Sequence, residues 1–324
     1  MADELELLRR ANPVPVDGPH FGDGPLDHHA ERHLDRLLRE RPAPLRRRTR
    51  LAWGLAATAV VAALVSALLF TGQTTAPAVA APRPLLVQAD STPVPLTTLA
   101  ERAGAAVADG APKLRKGTHV QAWSLAMSDS EPPITLPQER IVRWNADDSH
   151  TEIVMATDPR HPGRPVLTDE DGEPRPVEDG HVLSRQTYPP SWSDAPPQSP
   201  PPTNVARLRA YLQEAAYSKT PLNTGELLDA VASVLGTWTL GARESAALAR
   251  LLADTEGIRP LGQVTDRLGR RGQAYVYDGS GTRRMLIMDP ATGAVLGLET
   301  TFTKAEPEYG VRAGDVMSYS AWMR

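Results

Sequence analysis

The stretch that decides the fold reads MLIMDPATGAVLGLET, from Met285 to Thr300. Two apolar runs flank the break Asp289-Pro290-Ala291-Thr292-Gly293. Asp opens a turn through its side chain, Pro presets the next φ, and Gly accepts the left-handed conformation. The chain therefore reverses here and the two runs pair as an antiparallel hairpin. Asp278-Gly279-Ser280-Gly281 reverses it again just upstream. Gln273–Tyr277, Arg283–Asp289 and Ala294–Lys304 thus read as consecutive strands, with Ile258–Asp266 and Val316–Met323 extending the same sheet.

Further toward the N-terminus, the pattern predicts strands at His119–Met127, Glu139–Asn145 and Thr151–Thr157. In the first, Trp123, Leu125 and Met127 alternate with Ala122, Ser124 and Ala126. Asn145-Ala146-Asp147-Asp148 supplies the turn between the second and third. Residues 158–202 are rich in Pro and acids and read mostly as loop, with a strand at Gly180–Gln186. Apolar residues at helical spacing predict helices over Leu96–Ala108, Val205–Tyr217, Gly225–Leu235 and Arg243–Ala253. Helix, strands, helices, strands in that order argue for an α+β domain over residues 96–324, with a curved antiparallel sheet and flanking helices.

Leu51 to Phe70, LAWGLAATAVVAALVSALLF, carries no charge. A helix of this length spans about 30 Å, the hydrocarbon thickness of a bilayer. Eight Arg lie in the 20 residues before it and only Arg83 in the 20 after it. Cationic flanks stay cytoplasmic, so the N-terminus is expected inside and the C-terminal domain outside. The competing readings are a buried globular helix, a signal peptide cut near Ala78-Val79-Ala80, and a twin-arginine signal at Arg47-Arg48. The first is disfavoured by the uncharged length, the second by 50 preceding residues, and the third by Arg50. Residues 1–50 form a tail with two short amphipathic helices, Asp3–Arg10 and Leu26–Glu40, which cannot bury a core without a partner. Residues 71–95, rich in Pro, Ala and Thr, read as a linker.

Composition narrows the chemistry. The 324 residues include no Cys, so disulfides and thiolate metal sites are excluded. A net charge of −4 offers no general surface for nucleic acid. His28, His29 and His33 cluster in the tail, but HHAERH departs from the H-E-x-x-H zinc spacing. Leu167 to Glu178 overlaps a calcium-loop register at Asp169, Asp171, Gly172 and Glu178, yet Leu167 lacks the oxygen the first position needs. Ser280 sits between glycines without a nucleophile elbow. Neither a phosphate loop nor a dinucleotide fingerprint occurs. Catalytic, cofactor and metal residues are therefore all expected to be none, and the chain is not expected to be an enzyme. The aromatic residues Trp123, Trp144, Tyr275, Tyr277, Tyr319 and Trp322 fall in predicted strands. They could line a ligand cavity, although ordinary core is the commoner fate of such residues.

DELELLRRA (Asp3–Ala11), RRRTRLAWGLA (Arg46–Ala56), the stretch Met285–Thr300 and VMSYSAWM (Val316–Met323) together resemble an uncharacterised actinobacterial family of single-pass membrane proteins. That resemblance implies a cell-membrane location and a regulatory link, because members are often encoded near extracytoplasmic-function sigma factors. It carries no catalytic residues. The order of strands and helices is also similar to the curved-sheet carriers of lipoproteins and to related periplasmic regulators. Two expectations follow. One is a membrane-anchored extracytoplasmic sensor or regulatory protein, with a cytoplasmic partner on its N-terminal tail and an envelope ligand or protein on its outer domain. The other is a lipid or lipoprotein-binding carrier module with a cavity in its curved sheet.

Overall fold

A computed structural model describes residues 82–107, 112–128, 132–190, 195–279 and 281–323. The expected tail helices, the segment Leu51–Phe70, His28, His29, His33 and Ser280 lie outside them. Among the described residues, no helix is long and apolar enough to cross a membrane.

The strands are β1 (Arg115–Ala126), β2 (Ile134–Trp144), β3 (His150–Ala156), β4 (Val166–Thr168), β5 (Arg175–Val177), β6 (His181–Tyr188), β7 (Trp238–Thr239), β8 (Arg259–Thr265), β9 (Arg271–Gly279), β10 (Thr282–Met288), β11 (Val295–Phe302) and β12 (Val316–Met323). The helices are α1 (Leu96–Ala106), α2 (Val205–Ala215), α3 (Thr224–Leu235) and α4 (Ala242–Ala253). Ten strands make one sheet in the order β6-β3-β2-β1-β12-β11-β10-β9-β8, with β7 added on β1, and β4-β5 form a separate hairpin. Every pairing is antiparallel, so the α+β class holds. β1 against β12 joins the N-terminal and C-terminal strands, with Val120 opposite Trp322.

The deciding hairpin forms as read. The Asp289 carboxylate accepts from the backbone N–H of Ala291 and of Thr292 at 2.8 Å each. Gly293 takes φ 67°, and a Cβ there would lie 2.6 Å from the Ala103 Cβ, so α1 packs tightly on this turn.

Helices form where caps and apolar stripes coincide. Asn223 and Glu226 make a reciprocal capping box on α3, and Asn204 caps α2 through the Arg207 N–H. Their apolar faces, with those of α1 and α4, bury Leu99, Leu212, Leu228, Leu251 and Leu252 against Tyr275, Leu286, Met288, Val295 and Trp322 of the sheet. That layer covers one face of β9–β12 and β1.

Several boundaries differ from expectation. α2 stops at Ala215, and Tyr217 adopts φ 52°, which ends the helix. β2 begins at Ile134 rather than Glu139, because backbone pairing with β1 continues past the apolar signal. The expected loop 158–202 contains β4-β5, whose strands are too short to show a period. Of the expected linker 71–95, the stretch from Leu85 to Ser91 is laid on the sheet. Val87 bridges Val264, the Gln88 N–H donates to the Gln263 carbonyl at 2.8 Å, and the Gln263 N–H donates to Ser91 Oγ at 2.9 Å. Its Leu85 and Val87 pack on a second core cluster that contains Trp123, Ile287 and Tyr319.

Candidate functional site

The second cluster lies on the sheet face away from the helices, because Val120 and Trp123 differ by an odd number along β1. Register lines up Glu299, Tyr319, Trp123 and Pro137 as neighbours across β11, β12, β1 and β2. The Trp123 and Tyr319 rings sit 5.5 Å apart at 51°. An arginine covers each ring. The Arg267 guanidinium carbon is 5.1 Å from the Tyr319 centroid, and that of Arg160 is 4.9 Å from Trp123. Such cation–π contacts strengthen when shielded from water.

Each arginine also holds a buried carboxylate. Arg267 pairs with Glu299, at 6% and 1% side-chain exposure. Glu299 Oε1 accepts the Leu85 N–H at 2.8 Å, and Arg267 Nη2 donates to the Arg83 carbonyl at 3.0 Å. The chain before α1 is thus fastened to this buried pair. Burial pushes the Glu299 carboxyl above its usual range, against the pull of the Arg267 charge.

At the other end of the row, Arg160 grips Asp158 with two bonds, Nε to Oδ1 at 2.9 Å and Nη2 to Oδ2 at 2.7 Å. The Arg160 N–H adds a third at 3.1 Å, and His161 Nδ1 lies 3.2 Å from Oδ2. Burial alone would raise the Asp158 pKa, but the bonds and charge of Arg160, with His161, bring it below the ordinary 3.8. A folded-state value below the unfolded one gives stability that is present above the unfolded pKa and lost as pH falls through the folded pKa. Asp158→Asn is therefore expected to cost about 1–3 kcal/mol at pH 7, since it leaves Arg160 without its counter-charge. The gap to the wild type should close as the pH is lowered below that range. Urea titrations of both proteins from pH 7 downward check this, and a gap independent of pH would refute it.

Beside Asp158 opens a cleft of about 100 Å³. β2 gives Thr135 and Pro137, the turn after β3 gives Asp158, Arg160, His161 and Arg164, and β4 gives Val166 and Leu167. Thr135 is 4% exposed, and its hydroxyl has no hydrogen-bond partner. Among the described residues, no carboxylate lies within ion-pair distance of Arg164. Trp123 Nε1, Tyr319 Oη and Arg267 Nε are also buried without partners on this face. Native proteins leave few such groups, and among the described residues the others belong to Trp144, His150, Gln273 and Tyr275.

The six aromatic residues do not converge on one cavity. Trp123 and Tyr319 lie on this face, whereas Tyr275, Tyr277 and Trp322 pack with the helices. Trp144 stacks on His150 at 4.1 Å, and His150 on Tyr188 at 4.7 Å, with Lys116 Nζ 3.8 Å above the Trp144 ring. The calcium register is likewise taken apart. Leu167 and Thr168 are strand residues, and Arg175 binds Asp171 at 2.8 Å and Glu170 at 3.2 Å. Among the described residues, no group of three or more His, Asp or Glu could hold a metal ion. Sequence reasoning missed Thr135, Asp158, Arg160 and Arg164. Its one available signal was Asp158-Pro159-Arg160-His161-Pro162-Gly163, a turn-forming run directly after a strand.

No protein-family model and no curated protein matches the chain. Among solved structures, it shows a likeness to the bifunctional dehydratase-cyclase domain of ambruticin biosynthesis. Identity is 15%, coverage is 74% of this chain and 84% of that one, and the TM-score is 0.12. A score this low carries no argument about fold or chemistry.

Proposed function

We propose that the chain is a membrane-anchored extracytoplasmic sensor or regulatory protein. In this reading Leu51–Phe70 is the anchor, residues 1–50 meet a cytoplasmic partner, and the sheet domain meets an envelope ligand or protein. The observation that supports it is the docking of residues 83–91. These residues lie between the apolar segment and α1, and they are bonded to Glu299 and Arg267. That pair begins the row leading through Tyr319 and Trp123 to the cleft. Occupancy of the cleft and attachment of the chain before α1 thus bear on one contiguous set of side chains, a route along which the two could be coupled.

The carrier reading needs room for an acyl chain. Register shifts at Ile287/Met288, Thr300/Thr301, Val154/Met155 and Pro260/Gly262 bend strands and favour a curved sheet. The space between α2, α3 and α4, however, is about 10 Å³, room for about one water molecule. A lipid seated among the helices would have to displace them, whereas open clefts of about 400 and 480 Å³ lie beside Leu85 and Phe302 and beside Met127 and Ile134.

The test is crosslinking of the full chain in membranes, followed by recovery of partners bound to residues 1–50. A single cytoplasmic regulator is expected, for which a sigma-factor system is the leading candidate. Full-length protein extracted by alkaline carbonate, or no specific cytoplasmic partner, would overturn the reading.

A further inference from the structure

We infer that the cleft beside Asp158 is a binding site for a short-chain carboxylate. The inference deepens the sensor reading by naming a ligand class, but binding itself does not depend on the tail having a partner.

Three observations converge. First, the cleft holds donors in excess of acceptors. Arg160 spends Nε and one Nη2 hydrogen on Asp158, and the Asp158 oxygens are filled by Arg160 and His161. The Arg164 side chain lines the opening, and among the described residues it has no acid partner. Second, Thr135 is 4% exposed and carries a hydroxyl without a partner. A buried hydroxyl left unbonded is unfavourable, and a ligand oxygen would satisfy it once rotation about χ1 turns the hydroxyl, now shut off from solvent, toward the cleft. Third, the remaining wall is apolar, from Pro137, Pro165, Val166 and Leu167. An inorganic tetrahedral anion would leave that wall facing charge, whereas a carboxylate with a stem of one to three carbons covers it.

The volume sets the size. About 100 Å³ is room for several water molecules. Acetate and propionate suit this space, and an acyl chain of lipid length does not. Arginine favours carboxylate because its planar donors match the two oxygens.

The experiment is ligand-observed saturation-transfer NMR on the full chain in detergent micelles, titrating propionate, with phosphate as competitor. Saturable binding in the millimolar range is expected, as fits a ligand of only a few atoms. Arg164→Gln should weaken it by roughly tenfold or more. Thr135→Val should weaken it about three- to tenfold while leaving the melting temperature unchanged or higher, because it deletes an unbonded hydroxyl. That pairing separates a ligand contact from a structural role. Absence of saturation, equal affinity in Arg164→Gln, or tighter binding of phosphate than of propionate would each overturn the assignment. Binding of propionate with no change in tail crosslinking would leave the site standing and count against the sensor reading alone.

Discussion

Glu299→Ala is expected to destabilise the domain by about 3–5 kcal/mol, the usual range when one partner of a buried ion pair is removed. The reason is what remains. Arg267, 6% exposed and already with one unbonded N–H, would keep a full charge without its carboxylate. The Leu85 N–H would also lose its acceptor. Two measurements check this. Urea unfolding should show the loss, and amide exchange should rise at Leu85 and Gln88 before it rises in β9 or β10. Replacing both partners by Met should restore most of the stability, because a buried pair and its apolar substitute are often nearly equal. A loss under about 1 kcal/mol in Glu299→Ala, with Leu85 still protected, would show that the pair does not hold residues 83–91.

Leu251→Ala is the second large effect. Leu251 is fully buried in α4, inside the core cluster that the helices share with the sheet. Removing a buried leucine side chain costs about 2–5 kcal/mol, the higher figures applying where neighbours cannot close the gap. Space between α2, α3 and α4 is already close to nil, so the layer is tightly packed. A drop of about 3 kcal/mol is the expectation, seen as a lower urea midpoint with an unchanged slope. The same variant examines the carrier reading. Its new apolar hollow should take up a small hydrocarbon and regain stability, while the wild type should not respond. A wild type stabilised by fatty acid would favour the carrier after all.

What the sequence disclosed follows from how local each signal is. The turn at Asp289–Gly293 needs only adjacent residues, and it formed with the bonds expected of it. The stripes of α3 and α4 repeat within one element and were equally legible. Alternation along β1 told which residues share a face of that strand. It could not tell which face of β12 would lie beside it, because that depends on β1 pairing with β12 nearly 200 residues away. Trp123 and Trp322 therefore looked alike in sequence and fell on opposite faces. The cleft was illegible for the same reason. Thr135, Asp158 and Arg164 come from a strand and a turn that only tertiary pairing brings together, and no fixed spacing marks them. Residues 85–91 were hidden inside a stretch, 71–95, whose Pro, Ala and Thr read as a linker, yet a carboxylate on β11 gives their backbone somewhere to bond.

The attachment of Leu85 to Glu299 has a mechanical consequence. Tension arriving along the chain from its N-terminal side would be borne first by Arg267, which holds Arg83, then by β11 at Leu85 and by the edge strand β8 at Val87 and Gln88, and only afterwards by α1. The load would have to strip Arg83, Leu85, Val87 and Gln88 one after another before it reached the helix. The domain is therefore leashed by its sheet, and its helices are spared the pull until that leash gives way.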